Sequence, residues 1–237
     1  MRKTKEQIKK ELASEYYGKE AEKYNEKRVE DIRHAAVVRK QAEITKNFLN
    51  FKYKNILDVA CGTGRFFYLY KGKKYGVDIS TDMLKVNKKT NKNAILKRAD
   101  ASKLPFKNNF FDVTNTSQFI KHTPEYKKVI NEMTRVTKPG GIIIIDFPNR
   151  FSTTYITTKI RVLVGRLRHY NFFSLYDIKK IAKENNLEIL DIQPTVVISP
   201  LYFPKSSLGF AIKLNKFLTN IFPELTYVFY VKFRKKK

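Results

Sequence analysis

The sequence predicts an α/β chain, an open, twisted, mostly parallel sheet with helices on both faces and a helical cap at its amino end. Three observations predict it. From residue 55 to 149, short β-branched runs alternate with polar, helix-compatible stretches, the rhythm of parallel strands joined by crossover connections. The run "GIIIID" (141–146) is apolar at consecutive positions, as in a central strand covered on both faces. A glycine-rich turn, "CGTG" (61–64), directly follows the first run.

In chain order, residues 5–50 read as two charged amphipathic helices, the second with an apolar face of Ala35, Val37, Val38, Ala42, Ile44, Phe48 and Leu49. Strands follow at "NILDVA" (55–60), "KYGVDI" (74–79), "AILKRAD" (94–100), "FFDVTNTS" (110–117) and "GIIIIDF" (141–147). Before the last of these a helix starts at Thr123-Pro124 and carries Val129, Ile130, Met133 and Val136 on one side. It stops at a turn made by Pro139 and two glycines. Residues 150–173 are too long for a plain connection and rich in aromatics and arginines, which marks a lid or a loop. Ser174 and Asp177 stand at capping-box spacing ahead of a further helix, followed by strands at 187–193 and 226–233. With no repeat and no low-complexity linker, residues 1–237 read as one domain: cap (1–50), core (55–149), lid (150–173) and carboxyl-terminal helices and strands (174–237).

Lysine and arginine outnumber the acids 48 to 22, a net charge of +26. The excess is spread over the chain rather than gathered in a stripe, so a general lysine bias explains it better than a dedicated nucleic-acid surface. Its one cluster, "KFRKKK" (232–237), reads as a solvated, frayed end. A single cysteine, Cys61, excludes an internal disulfide framework and gets no chemistry. The first twenty residues have no apolar signal core, and no apolar run approaches membrane-spanning length. A reducing cytoplasm is the expected compartment.

The glycine turn separates three chemistries. Nothing matches G-x-x-x-x-G-K-[ST], which removes a Walker-type NTPase. A dinucleotide fingerprint needs a small residue three after Gly64, where this chain has Phe67, and Asp58 would set a negative charge near a pyrophosphate. What remains is a ligand without phosphate but with a cationic centre and an ammonium group, which a strand-end carboxylate favours.

At this point the sequence resembles the class I S-adenosylmethionine-dependent methyltransferases, in particular the group that includes quinone-biosynthesis and other small-molecule enzymes. "LDVACGTGRF" is similar to the family's first motif, with Ala60 where many members have glycine. The resemblance implies a Rossmann-like fold and S-adenosylmethionine as methyl donor. It implies that Asp58 supports the loop while Ala60, Gly62 and Gly64 let the backbone approach the methionine end. Asp78, ending "YGVD", would bind the ribose hydroxyls and Ile79 would lie against the adenine. Asp100 and Ala101, in "RADASKLPF", would hold the adenine edge. Ser117 and Gln118, in "NTSQFIKH", would lie against the cofactor at the end of the fourth strand, where the family places its reaction floor. Tyr24, in a segment that also carries Tyr16 and Tyr17, would fold over the cofactor. His122 is the candidate general base, its competing reading being a packing histidine.

No histidine or cysteine spacing points to a metal. The expected acceptor is a small molecule, apolar or aromatic in view of Tyr155, Tyr170, Phe172, Phe173, Tyr202 and Phe203. Two alternatives stay open: an RNA methyltransferase, favoured by charge but lacking an N-P-P-Y-like motif, and a non-catalytic S-adenosylmethionine-binding protein whose basic carboxyl end meets a membrane or a partner. No obligate protein partner is expected. The segment "LGFAIKLNKFLTNIFPEL" (208–225) fits an interfacial amphipathic helix, with core packing as the commoner explanation.

Overall fold

In a computed structural model, which describes residues 31–165 and 169–237, seven strands share one sheet: β1 (Asn55–Val59), β2 (Lys73–Asp78), β3 (Ile95–Arg98), β4 (Phe111–Thr116), β5 (Thr137–Pro148), β6 (Leu187–Pro194) and β7 (Val228–Lys235). Their spatial order is β3-β2-β1-β4-β5-β7-β6. The first five run parallel, while β7 pairs antiparallel with both β5 and β6. The described helices are α1 (Ile32–Phe48), α2 (Thr81–Thr90), α3 (Tyr126–Val136), α4 (Tyr155–Leu163), α5 (Leu175–Glu184) and α6 (Leu208–Ile221). The first expected cap helix and Tyr16, Tyr17 and Tyr24 lie outside the described residues.

The sheet divides two cores, and β5 shows why its isoleucines run consecutively. Ile143 and Ile145 point to the face covered by α3 and α5, packing with Val129, Met133, Ile178 and Ile181. Ile142 and Ile144 point to the face covered by α1, packing with Ile44 and Phe48. Successive side chains of a strand alternate in direction, so only a strand covered on both sides can bury all four. On α3 the four expected residues, Val129, Ile130, Met133 and Val136, are each 1% exposed or less. Full burial of such side chains is worth about 1.5–3 kcal/mol each. On α5 the Ser174 hydroxyl accepts from the Asp177 N–H while the Asp177 carboxylate accepts from the Ser174 N–H, the reciprocal cap expected there.

Three expectations are corrected. There is no turn at "KPGG": β5 begins at Thr137, directly after the last residue of α3, because Thr137 is already in extended backbone and pairs with Phe111. Gly140, at φ +77°, absorbs the irregularity inside the strand. The basic end is no frayed tail through Lys235. Phe233 is fully buried, and Lys235 Nζ donates to Thr134 O and Thr137 O at 2.8 and 2.9 Å, so it caps the carboxyl end of α3. Finally, 208–225 does not pack into the core. Only Ala211 and Asn215 of α6 are buried, and Phe210, Phe217 and Ile221 face solvent.

The crossovers differ from a regular doubly wound sheet at two places. After β1 the chain makes only a single turn of 3-10 helix (Phe67–Leu69) before β2, and between β3 and β4 it forms no helix. The first of these shapes the site.

Candidate functional site

β1 leads outward to β2 and β3, and the chain then returns to place β4 on the other side of β1. Ligands of such sheets bind outside the carboxyl ends of the strands at this reversal. Ala60 and Gly62 follow β1, Asp78 ends β2 and Ile79 follows it, Asp100 and Ala101 follow β3, and Ser117 and Gln118 follow β4. The structure therefore brings these predicted residues to one edge of the sheet.

The turn itself alternates. Ala60, Gly62 and Gly64 all have left-handed backbone, with φ of +56°, +52° and +74°. A Cβ on Gly64 would lie 2.3 Å from Asn87 Oδ1, so that glycine is required by close approach of α2. A Cβ on Gly62 would meet nothing within 4 Å, which leaves its backbone accessible. Asn87 Nδ2 donates to Gly62 O at 3.2 Å and pins the turn from behind. Phe67, the residue that argued against a dinucleotide, is fully buried where the first crossover helix of a dinucleotide fold would begin, tilted against Tyr70 and close to Gly76. With no α-helix after the turn, no α-helix N-terminus faces a ligand there. The usual anion site of a glycine loop is not built.

Asp78 joins the turn to the second strand. Its Oδ2 accepts from Gly62 N at 2.8 Å and its Oδ1 from Ser80 N at 2.9 Å. Burial pushes its carboxyl above the usual range, opposed by these backbone donors. Asp58 is more deeply placed. It accepts from Tyr70 Oη at 2.7 Å and from Asn115 Nδ2 at 3.3 Å, and burial pushes it up to about 7. It thus grips the segment after the turn through a tyrosine, which makes it a support under the crevice. Ile79 O accepts from Arg98 Nε at 3.1 Å. Asp100 Oδ1 accepts from the N–H and hydroxyl of Ser102, both at 2.8 Å, and Ala101 is buried beside it.

At the end of β4, Gln118 takes left-handed backbone at φ +64° and donates to Asp146 twice, from N and Nε2, each at 2.8 Å. Lys121 Nζ donates to Gln118 Oε1. Ser117 Oγ and Tyr230 Oη are 2.8 Å apart. His122 stands farther along, in the short turn Ile120–His122, edge-on to Tyr170 at 5.5 Å. Tyr170 continues to Phe172 (4.7 Å) and Phe172 to Tyr155 (4.8 Å), an aromatic wall contributed by residues 150–173.

Sequence reasoning passed over Tyr70, Asn115, Lys121, Asp146 and Tyr230. Asp146 carried the same signal as Asp58 and Asp78, an acid at or near the carboxyl end of an apolar strand; it is 1% exposed and burial raises its pKa. Asn115 is the register partner of Asp58 on β4. Nothing in the sequence marks Lys121 as buried.

These residues fit a donor with an amino-acid end and a nucleoside end. Gly62 offers open backbone, Asp78 keeps a carboxylate at the crevice, and Asn115 Oδ1 is buried without a donor among the described residues.

Comparison with known proteins agrees. Residues 57–145 match the profile of the family described as "Methyltransferase domain". Over 104 residues the chain is 39% identical to a demethylmenaquinone methyltransferase of Geobacillus stearothermophilus, covering 39% of this chain and 44% of that protein. A demethylmenaquinone methyltransferase of Lactococcus lactis is 31% identical over 154 residues, covering 54% and 61%. The matches thus span about half the length of these relatives. An S-adenosylmethionine-dependent methyltransferase of Thermotoga maritima shares the fold with a TM-score of 0.70 at 18% identity, over 92% of this chain and 98% of that one. A phosphoethanolamine methyltransferase of Haemonchus contortus, solved with S-adenosylhomocysteine, does so with a TM-score of 0.58 at 21% identity, over 83% and 52%. The ordered motifs, the strand order and the match to the methyltransferase-domain family thus fall on the same residues, 57–145, and the chain has the fold of S-adenosylmethionine-dependent methyltransferases.

Proposed function

We propose that this chain transfers a methyl group from S-adenosylmethionine to a small, aromatic, quinone-like acceptor. The observation that carries the reading is the junction of Gly62 and Asp78, in which one carboxylate fixes the glycine turn and also reaches the crevice. Ala60, Gly62 and Gly64 would hold the methionine end. Asp78 and Ile79 would take the ribose and one adenine face, and Asp100 and Ala101 the adenine edge. When bound, the donor supplies an electrophilic methyl on a sulfonium centre. Transfer in line needs alignment more than covalent help, which accounts for the missing nucleophilic triad.

Ser117 and Gln118 form the floor in this reading, held by Tyr230 and Asp146. The wall of Tyr155, Phe172 and Tyr170 offers an apolar surface to a ring, with His122 beside it as the base that removes a proton from the acceptor. Residues 150–173 act as the lid in this reading, and Tyr24, outside the described residues, keeps only the donor contact that the resemblance implies. The relatives named for demethylmenaquinone support a quinone-like acceptor; none favours RNA or a non-catalytic role.

Calorimetry with S-adenosylmethionine tests the site. Asp78→Ala is expected to weaken binding at least ~100-fold, the loss of two charge-assisted ribose bonds, with folding checked by circular dichroism. Unchanged affinity refutes the assignment. Labelled donor offered with a demethylated quinol and with RNA then identifies the acceptor, and label in the RNA alone overturns the quinone reading.

A further inference from the structure

We propose that α4 and α6 form a docking surface for an anionic lipid bilayer. The two helices rise from the same end of the sheet. β5 ends at Pro148 opposite Val228, where β7 begins, and β6 ends at Pro194 opposite Phe229. Both helices are tied to one short segment: Thr153 Oγ1, just before α4, donates to Val197 O at 3.1 Å, and Asn215 Oδ1 of α6 accepts from Val197 N and Ile198 N at 3.0 and 2.9 Å. They therefore flank the carboxyl edge of the sheet, on the side of the donor crevice.

Their patterning is inverted relative to a core helix. On α4, Ile156, Ile160 and Leu163 repeat at the spacing of one helical face, yet they are 69%, 54% and 86% exposed and the helix buries no residue. On α6, Phe210, Phe217 and Ile221 line one stripe, 62%, 60% and 48% exposed. An amphipathic stripe turned to water on each of two helices tied to the same segment exceeds the scattered exposed apolar residues of an ordinary surface.

Charge chooses the occupant. The two helices and the turn before α6 carry Lys159, Arg161, Lys205, Lys213 and Lys216, all exposed, and no acid. A protein partner with its own mixed charges gains little from such a rim. An anionic headgroup layer gains about 1 kcal/mol for each cation held near it, while the apolar stripe enters the acyl boundary. No described helix is long and apolar enough to cross a bilayer, so contact is along the surface. This surface does not depend on the methyl-transfer reading, since it uses none of the donor residues.

The test is sedimentation of the full chain, without donor, on vesicles of phosphatidylcholine containing about a third phosphatidylglycerol. Binding is expected, with little on pure phosphatidylcholine and a steep fall with salt. Phe210→Ser with Phe217→Ser, both mostly exposed and checked for folding by circular dichroism, is expected to lower partitioning at least ~10-fold, as is Lys213→Glu with Lys216→Glu. A control pair of equal charge change, Lys92→Glu with Lys107→Glu, is expected to change it less than ~3-fold. Equal loss in the control reduces the effect to net charge and overturns the proposal. So does failure to bind any vesicle. A dimer in sedimentation velocity that the phenylalanine pair abolishes assigns the surface to a second copy and overturns it too.

Discussion

Replacing Asp58 by asparagine should remove a pH dependence from folding stability. Asp58 is buried, with its pKa raised from 3.8 to about 7 chiefly by loss of water around it. An acid whose pKa is raised on folding contributes stability that is complete below the unfolded value and is lost as pH rises through the folded one. A shift of about 3 units at 1.36 kcal/mol each bounds the effect at about 4 kcal/mol, of which about 2 kcal/mol falls between about pH 5.5 and about pH 7.5. The substitution keeps the side chain's size and an oxygen that accepts from Tyr70 Oη; it gives up the longer contact with Asn115 Nδ2, which still donates to Tyr70 Oη at 2.9 Å, and folding of the variant is checked first by circular dichroism. The chain has no tryptophan, so urea unfolding is followed by far-ultraviolet circular dichroism. Asp78 and Asp146, also raised by burial, tilt both proteins alike. The expected result is a wild type that loses about 2 kcal/mol more than the variant across that window. Equal slopes refute the argument and would mean that water reaches Asp58.

Two further outcomes follow from single contacts. Ala60 holds φ +56°, a conformation that costs a residue with a Cβ about 1–2 kcal/mol, partly offset by the flexibility glycine brings to the unfolded chain; Ala60→Gly should raise stability by about 0.5–1 kcal/mol in the same urea assay. Lys235→Met keeps the aliphatic stem but removes the ammonium from the last carbonyls of α3; a loss of about 0.5–1 kcal/mol is expected, with faster amide exchange at Thr134 to Thr137.

Strands β1 to β5 were legible because each is a β-branched or aromatic run between turn residues, and α3 because its apolar residues repeat at helical spacing. Their errors have one cause. Between Val136 and Gly141 the proline and two glycines are strong local breakers, but Thr137 is claimed by pairing with Phe111, a contact 26 positions away that no local rule contains. The expected last strand reached Phe233 but not Arg234 and Lys235, which read as part of a tail because charge hid the continuation that seats Lys235 over α3. At the site, Asp58 and Asp78 were legible from their strand ends. Tyr70 and Lys121 were not, because their importance lies in which buried acceptor they reach, Asp58 in one case and Gln118 in the other.

The position of β7 has a consequence for the order in which the protein can be made. It follows β6 in the chain yet lies sixth in the sheet, and among the described residues it is the only strand that pairs with β6. When β6 leaves the ribosome it has nothing to pair with until the roughly 30 residues from Thr195 to Tyr227 have followed, about 2–6 s at ordinary rates of synthesis. During that interval β5 shows an open edge as well, and the two exposed ladders are the stretch of synthesis at which a chaperone has most to protect.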